Sequence, residues 1–207
     1  MICPNLFQIP DLNAGFCNAQ ESENNPPPFL MNQVHSADVL ILTENPNETL
    51  TCDALITKEK GLPLTVKTAD CAPILLADTT NQIIGAVHAG WKGAFQGVIE
   101  NTLLAMLSIG ADIHHIKTAI GPHLTQRSFQ VSPEMQALFP ITEHHFFHET
   151  GDGIYFDFTG YLRHRLQRTG LTNIEISPID TYTDLAYNSY RRNPQNPARQ
   201  YSYIMLK

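Results

Sequence analysis

Residues 62–93 read LPLTVKTADCAPILLADTTNQIIGAVHAGWKG. Three apolar segments of strand length lie in this stretch, at 62–68, 73–77 and 83–87, with short polar joints between them. The third runs into His88 and a turn containing Gly90. Beyond it Phe95, Val98, Ile99, Thr102, Leu103, Met106 and Leu107 recur at three- and four-residue steps. That period predicts one amphipathic helix, and Gly110 is a natural stop for it. Closely spaced strands that feed a helix already point to a sheet covered by helices.

Outward from this stretch the same alternation continues. Residues 116–120 are extended in character. Ser132, Pro133 and Glu134 supply an N-cap, a first-turn proline and an acid suited to the helix dipole, opening a short helix toward Phe139. Residues 154–158 read as a strand, Tyr161, Leu162, Arg165 and Leu166 as a helix closed by Gly170, and 173–177 and 201–206 as late strands. The predicted fold class is α+β: an α/β sandwich with a mixed β-sheet flanked by helices, as a single domain over 1–207. Residues 21–28 are polar and end in three prolines, so they read as a loop or stiff connector that closes a short N-terminal segment, 1–28.

Composition narrows the class. The 207 residues are 43% hydrophobic and 16% charged, which excludes disorder and a coiled coil. The net charge of −7 opposes nucleic-acid backbones and acidic membranes as partners. No apolar run approaches the length of a membrane span, and the first residues resemble no secretory signal. The four cysteines show no paired spacing such as CxxC, so a cytoplasmic protein with reduced thiols is expected.

Three segments place metal-ligating side chains at the ends of apolar runs: NQVHS at 32–36, TADCA at 68–72 and AVHAGWKG at 86–93. Two imidazoles and a thiolate, His35, Cys71 and His88, suit a tetrahedral zinc site with one position open, where a bound water has its pKa lowered to about 7. Cys71 and His88 also fit a nucleophile and its base, with His35 orienting them. Both arrangements need the thiolate, and spacing does not separate them. Asp70 is the nearest carboxylate for proton transfer or for fixing a histidine tautomer, with Asp53 as a second candidate that also suits a turn or cap. His144, His145 and His148 read as a solvated surface segment rather than a metal site. The glycines around Lys92 do not form a P-loop. Arg191, Arg192 and Arg199 concentrate positive charge near the C-terminus, suited to a substrate anion or to a surface loop.

QVHSADV at 33–39, DALIT at 53–57, TADCAPILL at 68–76, HAGWKG at 88–93, IGP at 120–122 and SYRR at 189–192 together resemble the laccase-domain family. That family was once described as multicopper polyphenol oxidases and later as zinc-containing purine nucleoside phosphorylases with adenosine deaminase activity. The resemblance implies zinc on His35, Cys71 and His88, and Cys71, His88 and Asp70 as catalytic residues. It implies phosphorolysis of adenosine, inosine, guanosine or methylthioadenosine, and deamination of adenosine. Arg191, Lys92 and His123 are then the expected substrate-binding residues, and a purine nucleoside and phosphate the partners. The family's N-terminal arginine has no counterpart here, since the first basic residue is Lys58. Lys92, His123 and Asp180 stand where many relatives have Arg, Cys and Cys. Three alternatives stay open: a Cys/His hydrolase or editing factor for peptidoglycan precursors, a non-catalytic nucleoside-binding protein, and, least favoured, a copper polyphenol oxidase, for which no second histidine cluster is evident.

Overall fold

The computed structural model describes residues 1–24 and 31–207. In chain order the regular elements are β1 (Leu12–Phe16), α1 (Ala19–Asn24), β2 (Val39–Leu42), β3 (Ala54–Thr57), β4 (Leu64–Thr68), β5 (Ala72–Asp78), β6 (Ile83–Ala89), α2 (Trp91–Gln96) and α3 (Val98–Ser108). They continue with β7 (Lys117–Ile120), β8 (Gln130–Val131), α4 (Pro133–Ala137), β9 (Phe147–Thr150), β10 (Gly153–Phe156), α5 (Phe158–Arg168), β11 (Asn173–Ile176) and β12 (Gln200–Leu206).

A six-stranded mixed sheet, in the order β11-β7-β5-β6-β3-β2, forms the middle layer. Its centre, β5 and β6, is buried at every position. The two-residue period of a strand explains how. Ile74 and Leu76 point into a core shared with Val98, Leu103 and Met106 of α3 and Leu162 and Leu166 of α5. Leu75 and Ala77 point the other way, into a core shared with Leu64 and Val66 of β4 and Ile204 and Leu206 of β12. That second face is covered by a three-stranded antiparallel sheet, β1-β12-β4, so strands from both ends of the chain pair side by side. The expected sandwich of a mixed sheet with flanking helices is the observed fold.

Three local readings change. The helix predicted across 95–107 is two, because Gly97 takes a left-handed φ of 101° and ends α2 before α3 begins. The strand expected at 154–158 stops at Phe156, because Asp157 turns the chain and caps α5, accepting from the Gly160 N–H at 2.9 Å. Glu21 to Asn24, read as loop, belong to α1, while the three prolines after them lie outside the described residues. The cysteines are all free, as expected. Among the described residues no helix is long and apolar enough to cross a membrane.

Candidate metal centre and its cavity

The antiparallel register of β5 and β6 pairs Ala72 with Ala89 and Pro73 with His88, which brings Cys71 and His88 to the same end of the sheet. His35 arrives from the loop before β2. One potential ligand atom from each of the three residues lies within 4.8 Å of the other two. The Cys71 sulfur is 3.6 Å from His35 Nε2, and the two imidazoles meet edge to face with centroids 4.8 Å apart. His88 is buried, Cys71 half-buried and His35 exposed. Gly90 makes this approach feasible. A Cβ there would stand 2.6 Å from His35 Cδ2 and 3.2 Å from the Cys71 sulfur.

The organiser of the cluster is Asp53, fully buried just before β3. Ala54 pairs with Val87, so Asp53 falls beside His88, and its Oδ1 lies 2.7 Å from His88 Nδ1. The same carboxylate accepts from the backbone N–H groups of Val34 (3.2 Å), His35 (3.0 Å) and Ser36 (2.7 Å), and from the Ser36 hydroxyl (2.9 Å). His35 has a φ of 62°, a left-handed conformation that costs about 1–2 kcal/mol for a side chain with a Cβ. The fan of hydrogen bonds to Asp53 offsets that cost and fixes the backbone from which the ring projects. With Nδ1 committed to Asp53, His88 presents Nε2 to the cluster, the usual arrangement of a carboxylate behind a ligating histidine.

The charges reinforce one another. Burial alone would raise the Cys71 thiol, yet the His88 charge and hydrogen bonding to His35 bring its pKa down to about 6. Burial likewise works against a charged His88, but the Cys71 thiolate and the Asp53 hydrogen bond push it up to about 9. Burial of Asp53 is outweighed by its bonds to His88 and Ser36, which hold it down at about 2. A thiolate and two imidazole nitrogens are a borderline-soft donor set that suits zinc, and copper also takes such ligands.

The cluster opens onto a cavity of about 810 Å³. Trp91, Leu124, Phe129 and Phe158 give it apolar and aromatic walls, while Lys67, Arg191 and Arg199 supply cations. Asp70 is also on the wall, with a φ of 83°. Its carboxylate does not reach His88. One oxygen accepts from the Thr181 hydroxyl at 2.8 Å and the other from the Arg191 backbone N–H at 2.6 Å, so it ties down the loop that follows Tyr190. The tautomer-fixing role open to either aspartate therefore falls to Asp53.

Two of the expected substrate contacts do not line the cavity. Lys92 is exposed, its ammonium 5.6 Å over the Trp91 ring. His123 is fully buried; its Nδ1–H donates to the Gly121 carbonyl and its Nε2 accepts from the Thr159 hydroxyl, both at 2.8 Å, while burial lowers its pKa and keeps it neutral. Arg192 is also absent from the wall, because its guanidinium is spent on the carbonyls of Thr181, Tyr182 and Tyr187. His144, His145 and His148 form no metal group, and the first two bond to nearby carbonyls instead.

Residues 14–207 match the profile of a family described as multi-copper polyphenol oxidoreductase laccase. A purine nucleoside phosphorylase of Streptomyces coelicolor is 36% identical over 85% of this chain and 74% of its own length. Another, from Rickettsia conorii, is 35% identical over 80% of this chain and 70% of its own. Among solved structures, a Neisseria meningitidis protein superposes with a TM-score of 0.79 at 29% identity, over 86% of this chain and 74% of that one. YlmD from Geobacillus stearothermophilus superposes with a TM-score of 0.76 at 26% identity, over 86% and 73%. With a profile match that runs almost from end to end and relatives above 30% identity, the chain belongs to the family described as multi-copper polyphenol oxidoreductase laccase.

Proposed function

We propose that this protein is a cytoplasmic zinc enzyme of purine nucleoside metabolism, with phosphorolysis of nucleosides and deamination of adenosine at one site. The observation that carries the reading is the convergence of His35, Cys71 and His88 within 4.8 Å at a cavity large enough for a nucleoside. Relatives named purine nucleoside phosphorylases support it.

When bound, zinc supplies Lewis acidity and an oxygen nucleophile at neutral pH. The chain's own residues do the rest. His35, Cys71 and His88 hold the ion, and Asp53 fixes the tautomer of His88 and the position of His35. Phe129, Phe158 and Trp91 offer faces and edges on which a purine packs. Arg191, whose Nη1 donates to the Gln130 carbonyl at 2.9 Å while the guanidinium lies 5.8 Å over the Phe129 ring, is a rigid cation for an anionic group. Asp70 sets the loop that carries Arg191. Phosphorolysis breaks the C1′–N9 bond, joins C1′ to a phosphate oxygen and returns a proton to the base. Deamination places a water oxygen on C6 and releases ammonia.

Zinc is favoured over copper because, among the described residues, a single group of three donors converges, whereas multi-copper oxidation needs several centres. A second reading has one observation behind it: Cys71, His88 and His35 converge, with the sulfur 3.6 Å from His35 Nε2, so the thiol and imidazoles that a Cys71/His88 hydrolase would need are also in place. Metal analysis of the purified protein, with products identified after incubation with adenosine with and without phosphate, decides the matter. Stoichiometric zinc with inosine, adenine and ribose 1-phosphate supports the proposal. Activity indifferent to chelators but abolished by alkylation would place the protein with the hydrolases.

A further inference from the structure

The cavity has a wall that the nucleoside reading leaves unused. β12 pairs antiparallel with β4, setting Tyr201 opposite Lys67 and Gln200 opposite Thr68. Arg199 lies in the loop just before β12. All of these except Gln200 line the cavity. The Lys67 ammonium has no ion-pair or hydrogen-bond partner among the described residues, and Arg199 has no carboxylate within 4 Å. Among the described residues only Nη1 of Arg199 is engaged, by the carbonyls of Ala198 (2.8 Å) and Asn196 (3.2 Å), which aims the guanidinium without neutralising it. Gln33 grips the backbone of Lys67 from both sides, donating to its carbonyl at 2.7 Å and accepting from its N–H at 2.9 Å.

Two cations without a carboxylate partner among the described residues, on the wall of one cavity in a chain with a net charge of −7, make an oxyanion cradle. The carboxylates on the same cavity are Asp70, held by Thr181 and Arg191, and Glu23, exposed at the rim on α1.

We propose that Lys67 and Arg199 form a phosphate subsite. The subsite rests on the nucleoside reading for its use but not for its existence. Its phosphate is either the free co-substrate or the 5′-phosphate of a nucleotide.

Titration of the zinc-loaded protein with inorganic phosphate and with adenosine 5′-monophosphate, followed by phosphorus NMR, tests it. The unaltered protein binds at least one of them. K67M and R199M each weaken that binding at least tenfold while still holding one zinc. Binding of free phosphate identifies the co-substrate as the source, and binding of the nucleotide alone identifies the 5′-phosphate. Equal affinity in K67M, R199M and the unaltered protein, or no binding of either probe, overturns the proposal. Phosphate binding that the variants lose, without ribose 1-phosphate from adenosine, leaves the subsite standing and removes the phosphorolysis reading.

Discussion

Asp53 and His35 are joined through the backbone: the carboxylate accepts the His35 N–H at 3.0 Å and so stabilises a left-handed residue that carries one of the candidate metal donors. Because the same carboxylate also meets His88, a single buried acid positions two of the three candidate ligands. D53N keeps the shape but turns an amide N–H₂ toward donors. The expected result is a 10- to 100-fold loss of zinc affinity, read by competition with a chromophoric chelator, and a stability loss of about 3 kcal/mol. Unchanged zinc affinity in a folded D53N would remove Asp53 from the metal centre.

Removing a ligand should be more drastic. H35A, C71S and H88A each lose stoichiometric zinc, and nucleoside turnover falls at least about 100-fold. Chelation of the unaltered protein does the same, and added zinc restores it. A C71S variant that still binds zinc tightly and turns over nucleoside would contradict the assignment.

The thiol of Cys71 gives a pH test in the metal-free protein. With a pKa near 6 its thiolate fraction rises through pH 6 and is nearly complete by neutrality, so iodoacetamide labelling should level off where an ordinary thiol, near 9, is still accelerating. Cys52, pushed to about 11 by burial and by the charge of Asp53, stays slow throughout and serves as the internal reference. Zinc should protect Cys71. Peptide mapping of the labelled protein reads all three outcomes.

Gly90 tests the closeness of the cluster. A Cβ at this position meets His35 Cδ2 at 2.6 Å, so G90A must push the imidazole away. Zinc affinity should fall about tenfold while the melting temperature shifts little, since His35 is exposed and free to yield.

Asp70 separates anchoring from proton transfer. Both its oxygens are occupied, by Thr181 and by the Arg191 N–H, so D70A should loosen the loop and raise the nucleoside KM about tenfold, with the pH profile of kcat unmoved. A lost limb in that profile would give Asp70 the acid/base role instead.

The candidate metal donors could be picked out in the sequence because each sits at the end of an apolar run inside a distinctive short motif. The middle layer was legible for the same reason: β5 and β6 are buried on both faces and read as continuous apolar segments. Asp53 was harder. Its role depends on the register between β3 and β6, which brings it beside a histidine 35 residues later, and a lone aspartate before a strand reads equally as a turn. Lys67 and Arg199 lie still further apart in the chain and become neighbours only through the pairing of β4 with β12. His123 misled because a histidine beside a Gly-Pro turn looks like a loop residue reaching for a ligand, whereas two neutral hydrogen bonds satisfy it in the interior.

The seating of β12 between β1 and β4 sets an order of assembly. All three donors belong to the first 88 residues and reach one another through β5, β6 and the preceding loop, so they are available long before synthesis ends. The enclosure around them waits for the final strand, which carries Arg199 and Tyr201 into position. A chain clipped ahead of that strand would lose a wall of the reactant pocket together with the cover over Leu75 and Ala77.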